Sequence, residues 1–187
     1  MAYSKSQIDR IGNLLVCITN KLGGNTPKTK LLKLIYIIEE EAIKKGGSQF
    51  TELNYLYMPM GPVATFINTQ IDKKKKPLIS FINVRKECSS ILISPKKAFD
   101  DSEFSDFDIE LIDNVLSVYG NMNGKELIEY THREGSPWKK LNDQYQGSPP
   151  SDKRTLDLLT LLDDENVNPN LRKIAKEESS FLTYLRN

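Results

Sequence analysis

Ile8, Ile11, Leu15, Ile18 and Leu22 recur every three or four residues, which draws one apolar stripe along a first helix. Gly23-Gly24 ends it, because glycine readily takes the left-handed conformation found at helix ends. Thr26-Pro27 predicts an N-cap followed by a first-turn proline for a second helix. Leu31, Leu34, Ile35, Ile38 and Ala42 form its stripe, and Gly46-Gly47 closes it. Its outer side is expected to carry Lys28, Lys30 and Lys33, then Glu39, Glu40 and Glu41. That order opposes the helix dipole, since cations crowd the positive end. Tertiary contacts or a partner must offset it, and the helix is therefore a candidate functional face.

Residues 53–58 (LNYLYM) are bulky and aromatic and predict an extended segment packed on the core. Met60-Gly61-Pro62-Val63 predicts a turn, with a short helix beginning near Pro62 and carrying Val63, Phe66, Ile67 and Ile71 inward. Leu78–Val84 and Ser90–Ser94 predict a β-hairpin with the charged Arg85-Lys86-Glu87 between its strands. An acidic loop, Asp100 to Asp108, leads to a helix capped by Ser105 or Asp106, with Ile109, Ile112, Leu116 and Tyr119 as its stripe. Asn123 and Glu126 form a capping pair for the next helix. Ser136-Pro137-Trp138 starts another, carrying Trp138, Leu141 and Tyr145. Gly147-Ser148-Pro149-Pro150 is the best linker signal. Beyond it, one helix capped at Ser151 carries Leu158, Leu159 and Leu162, and another from Asn168-Pro169 carries Leu171, Ile174, Phe181 and Leu185. The fold class is thus mainly α: a compact helical domain with a small β-hairpin over residues 1–147, and a C-terminal helical extension, residues 148–187, packed on it.

The 187 residues suffice for one domain with a real core. Basic and acidic groups nearly cancel, leaving a formal charge of +1, so no global field draws the chain to nucleic acid or anionic lipid. No apolar run approaches the roughly 18–20 residues of a membrane helix, and the N-terminus lacks a signal-peptide core. Cys17 and Cys88 lie far apart among apolar neighbours, which predicts buried free thiols in a reducing, cytoplasmic setting.

Three stretches together resemble the Panacea-domain (SocA-like) antitoxins of toxin–antitoxin pairs. They are TKLLKLIYI (29 to 37), MGPV (60 to 63) and YGNMNGKELIEYTHREGSPWKKL (119 to 141). The third is long and specific. The likeness covers roughly residues 8 to 147 and leaves out the last segment. Met58-Pro59-Met60 departs from it, since an aromatic or basic residue more usually precedes the Gly-Pro turn. The resemblance implies a mostly helical domain with a small β element. It also implies a binder that neutralises a cognate toxin encoded by an adjacent gene, often in phage or prophage.

His132 is the only histidine and could in principle serve as base or ligand. A zinc site takes about four ligands, and no second His or Cys is placed to help, so a structural hydrogen bond is the simpler expectation. Trp138, the only tryptophan, starts a helix on an apolar stripe and reads as core before interface. Gly61 and Pro62 shape a turn, and Tyr36 lies at a stripe edge. Lys73 to Lys76 lack interleaved aromatics and read as a solvated turn. The acidic loop serves equally as a capping loop or as a mask for a basic surface. Motifs of the HExxH, Walker, GxSxG and GxGxxG types do not occur.

The expectation is therefore a non-enzymatic antitoxin with no cofactor, no metal and no catalytic residue. Its partner surface runs along the second helix and the 130–138 block, with Tyr36, Gly61, Pro62, His132, Arg133 and Trp138 as candidates. A proteolytic adaptor is the main alternative, and a nucleic-acid-binding regulator a weaker one. Membrane association is not expected, and self-association is compatible with this reading.

Overall fold

Ser4 opens the first helix, α1 (Lys5–Lys21), by a reciprocal capping box with Gln7. Gly23 and Gly24, both at positive φ, turn the chain out of it. The computed structural model describes residues 3–175 and 177. Thr26-Pro27 is not the cap of the second helix. It forms a short strand, β1 (Thr26–Pro27), and Pro27 stands at the N-cap position of α2 (Lys28–Gly46) without a side-chain cap. Thr26 is held in extended backbone by pairing with Ile93, which overrides its capping preference. Gly47, in the left-handed conformation, ends α2.

α2 is the axis of the molecule. Every residue from Leu31 to Glu40 is buried, not only the apolar stripe. The helix is enclosed by α1, by β3 (Val63–Ala64), by α4 (Asp106–Tyr119), by α5 (Gly124–Thr131) and by a 3₁₀ turn at Leu158–Asp163. Lys33, Glu39 and Glu40, expected on its outer side, are therefore interior residues.

Residues 53–58 contain β2 (Tyr55–Leu56), which pairs antiparallel with β3, so Val63 begins a strand and the next helix, α3, spans Thr65–Asp72. Ile67 and Ile71 are buried on it, with Val63 and Phe66 only partly covered. Leu78–Ser80 is a 3₁₀ turn outside the hairpin, whose strands are β4 (Ile82–Glu87) and β5 (Ser90–Pro95). Arg85, Lys86 and Glu87 lie on the solvated strand β4 and not in the connection. Glu87 pairs with Ser90, leaving a two-residue turn with Cys88 at φ +48°. Cys88 is consequently exposed at the hairpin tip, contrary to the expected burial, while Cys17 is buried. The strand order is β1-β5-β4. Gly12 lets α1 lie against the sheet, because a Cβ there would fall 2.5 Å from the Phe81 ring.

Ser105 caps α4 and Asn123 caps α5, each through a full capping box. The inward residues of α4 are Leu111, Ile112 and Val115, a stripe turned slightly from the expected one. Ser136 caps α6 (Pro137–Gln144), with proline in the first turn. The acidic loop is tied down locally: Arg10 bonds the Glu103 carbonyl and Asp108, and Asp100 accepts from the Ser102 amide.

Past the linker, the helix expected from Ser151 is replaced by 3₁₀ turns at Ser151–Lys153 and Leu158–Asp163. Between them the chain runs extended beside β2. The Tyr57 amide donates to the Arg154 carbonyl at 2.7 Å, and the Leu156 amide to the Tyr55 carbonyl at 2.9 Å. This pairing cannot form from a helix. It carries Leu156, Leu158, Leu161 and Leu162 into the same core as α2. Residues 169–175 are helical, with Leu171 half-buried and Ile174 exposed. Phe181 and Leu185 lie outside the described residues.

Candidate functional site

The turn that joins β2 to β3 is closed by the Gly61 amide donating to the Met58 carbonyl at 2.8 Å. Gly61 has φ +91°, a conformation that side chains resist. Space forbids a side chain as well. A Cβ on Gly61 would lie 2.7 Å from Lys33 Nζ, 2.7 Å from Thr131 Oγ1 and 3.1 Å from His132 Nε2. Three polar atoms from two segments, α2 and the end of α5, therefore converge on the bare backbone of this glycine.

Each has a reason to be there. Lys33 sits in the second turn of α2, and its Nζ donates to the Pro62 carbonyl at 2.9 Å. It is 2% exposed, and burial lowers its amine from an ordinary 10.5 to about 7. Thr131 ends α5 and spends its hydroxyl proton on the Ile128 carbonyl at 2.9 Å. His132 is the C-cap of α5, where its amide closes the last turn. Its ring stacks on Trp138 with centroids 3.5 Å apart and planes 11° from parallel. Trp138 stacks in turn on Tyr57 at 5.0 Å and 12°. Trp138 Nε1 donates to the Met58 carbonyl at 2.9 Å, so the tryptophan clasps the same turn that Gly61 closes. Among the described residues, His132 Nε2 has no hydrogen-bond partner. Burial, and then the charge of Lys33, hold the imidazole down to about 4, so it is neutral at pH 7.

Two turns of α2 further on, Arg133 reaches Glu40 at 2.8 Å and lies over the Tyr130 ring at 4.1 Å. Glu40 is wholly buried, and burial raises its carboxyl despite the guanidinium. Neighbouring Glu39 is also buried and accepts from the Thr51 hydroxyl at 2.6 Å and the Thr51 amide at 3.2 Å. Burial raises it to about 7, against those bonds.

On the other side of Lys33 the surface opens into a groove of about 560 Å³. Its walls are the first turn of α2, the 58–63 turn and the hairpin tip at Ser89–Ile91. Leu32, Val63 and Ile91 line it, Met58 and Met60 stand exposed at its lip, and Lys33 lies at its base. Among the described residues, no cluster of three or more His, Cys, Asp or Glu is placed to hold a metal, and no helix is long and apolar enough to cross a membrane.

Residues 31–139, more than half of the chain, match the family model described as antitoxin SocA-like, Panacea domain. The chain belongs to this family. No curated protein and no solved structure matches it. The Panacea domain so delimited takes in α2 from Leu31 onward, the Gly61 turn and the His132–Trp138 segment, the three elements that meet around Lys33.

Within the domain, the sequence-derived candidates fall into two groups. Gly61, Pro62, His132 and Trp138 come together in one cluster, directly or through the turn they share. Tyr36 and Arg133 belong to the adjoining Glu40 region. Tyr36 is fully buried, edge-on to Tyr55 at 5.2 Å, and Trp138 is only 7% exposed. Both side chains pack in the interior of the domain. Lys33 and Glu40 were not singled out by sequence reasoning. The dipole-opposing order of charges on α2 pointed at them, and their depth did not show. Lys28 and Lys30 are matched within the fold: Lys28 pairs with Asp72, and Lys30 caps the end of α4 by donating to the Gly120 carbonyl at 2.5 Å.

Proposed function

We propose that this protein is the antitoxin of a toxin–antitoxin pair, a cytoplasmic, non-catalytic binder that neutralises a toxin encoded beside it. Membership of the Panacea family over residues 31–139 carries this reading. The groove beside Lys33 agrees with it, because exposed methionines at a lip adapt to varied apolar partners. The buried ring stack and the Glu40–Arg133 pair supply the rigid backing that such a face needs. A stable complex would bury roughly 1,200–2,000 Å² in total, more than the groove alone provides, so the contact extends onto its rims.

The test is co-expression with the adjacent reading frame. The neighbour alone should arrest growth, and this chain should restore it while co-purifying in fixed stoichiometry. A neighbour harmless by itself, or lethal in the presence of this chain, rejects the antitoxin role. Following the half-life of the neighbour's product separates direct blocking, which leaves it unchanged or longer, from delivery to a protease, which shortens it.

A further inference from the structure

We infer that the groove at the start of α2 receives an apolar peptide segment of the partner, anchored by one glutamate or aspartate side chain that meets Lys33 at the base. The inference rests on the protein-binding role proposed above and names its recognition chemistry.

A lysine ammonium carries three donors, and the structure uses one of them, on the Pro62 carbonyl. Among the described residues no carboxylate pairs with Lys33, and no aspartate or glutamate lines the groove. Of the other two lysines of this helix start, Lys28 pairs with Asp72, and Lys30, only half-buried, donates to the Gly120 carbonyl. Among the described residues, Lys33 when protonated is thus a buried cation with no anion beside it, on the lining of a mainly apolar groove. A buried charge is costly unless paired, and an incoming carboxylate would supply the missing pair in a site of low dielectric. His132 Nε2, also without a partner, faces the same point beside Gly61. Its neighbouring Lys33 would stay protonated once the carboxylate arrives.

Around that base the groove is apolar. Leu32, Val63 and Ile91 form its sides, and Met58 and Met60 are 41% and 61% exposed at its lip. At about 560 Å³ it is larger than one side chain, and its lining reaches from the hairpin tip to Asn68 of α3. A segment lying across it, with an acidic side chain pointing down among apolar neighbours, fits both the shape and the charge.

The experiment is a titration of the full chain with two capped peptides, acetyl-Leu-Leu-Glu-Leu-amide and its glutamine analogue, read by NMR. His132 and Trp138 are the only residues of their types, so their ring signals report on the site without ambiguity. The glutamate peptide should move them and bind about tenfold tighter than the glutamine peptide. In Lys33→Met the two peptides should bind alike. Met60→Glu, at an exposed position that leaves the fold intact, should bring a carboxylate to the groove and remove the preference in the same way. Equal binding of both peptides to the unaltered chain, no movement of the His132 and Trp138 signals, or a preference that survives in either variant would overturn the inference. Binding of only an uncapped acetyl-Leu-Leu-Leu acid would overturn it too, by assigning Lys33 to a chain end. The titration needs no toxin. Growth rescue without discrimination would remove the acidic anchor and leave the antitoxin role, and discrimination without rescue would do the reverse.

Discussion

The two halves of α2 bury charge in different ways. Toward its C-terminal half, Glu39 and Glu40 are interior, and each is bonded within the chain: Thr51 bonds Glu39, and Arg133 bonds one oxygen of Glu40. Toward its N-terminal half, Lys33 is equally deep and has a single carbonyl. Burial costs both halves, and the cost is offset only where a partner group is supplied. The closed half behaves as a structural brace that locks the 130–138 segment onto the helix. The open half keeps a buried amine whose charge is relieved either by loss of its proton or by an anion from outside. The lesson is that the bond inventory of a buried charge, more than its depth, separates structural from functional positions.

The sharpest way to break this contrast is to open the closed half. Arg133→Ala leaves the Glu40 carboxyl buried without its cation and should lower stability by roughly 3–5 kcal/mol in chemical denaturation. Because Glu40 can escape by taking up a proton, the loss should be smaller at pH 5 than at pH 8. A loss independent of pH would show that the pair is not what holds Glu40.

The open half has its own pH signature. The folded chain releases the Lys33 proton near pH 7, whereas the unfolded chain holds it to about 10.5. In that window the unfolded state binds the extra proton, so folding stability rises with pH, by about 2–3 kcal/mol between pH 7 and pH 9. His132 titrates below this range, and the Glu39 carboxyl is largely through its transition by pH 8. Lys33→Met should therefore be more stable than the parent at pH 7 and should flatten the rise. Parallel curves for the two proteins would mean that Lys33 is solvated in solution.

A smaller effect is expected at the junction of the halves. Gly61→Ala forces a side chain into a positive-φ position and against Lys33, Thr131 and His132, at about 2 kcal/mol. Much of this should be recovered in Gly61→Ala/Lys33→Met, where a softer side chain replaces the ammonium. Additivity of the two substitutions would indicate that they do not touch. The mildest expected change is Ser136→Ala, which removes the cap of α6 and should cost about 1 kcal/mol without altering the pH profile.

Much of the fold was legible from local rules. The capping boxes at Asn123 and Ser105, the Ser136-Pro137 start and the glycine stops after α1 and α2 all rest on bonds within a few residues, so the spacing of residues is enough to see them. What was not legible depends on distant partners. Thr26 looked like a cap and became a strand because Ile93 pairs with it. Ser151 looked like a helix start, but only a 3₁₀ turn forms there, because the chain just beyond it runs extended beside β2. At the candidate site, Gly61, Pro62, His132 and Trp138 stood out as unusual residues, whereas Lys33 and Glu40 were hidden by the assumption that charged positions on a helix face water. That assumption fails for a central helix, and Arg133, which resolves Glu40, lies 93 positions away in sequence.

The hairpin tip gives this chain a convenient point of chemical attachment. Cys88 is exposed there, next to Ser89 and Ser90 on the groove wall. Cys17, the other thiol, is buried, with its ionisation pushed up to about 11. A maleimide dye at neutral pH should therefore modify one position and spare the other. The fluorophore would hang over the channel, and its emission would change as the channel fills, turning an accident of strand geometry into an optical gauge of occupancy.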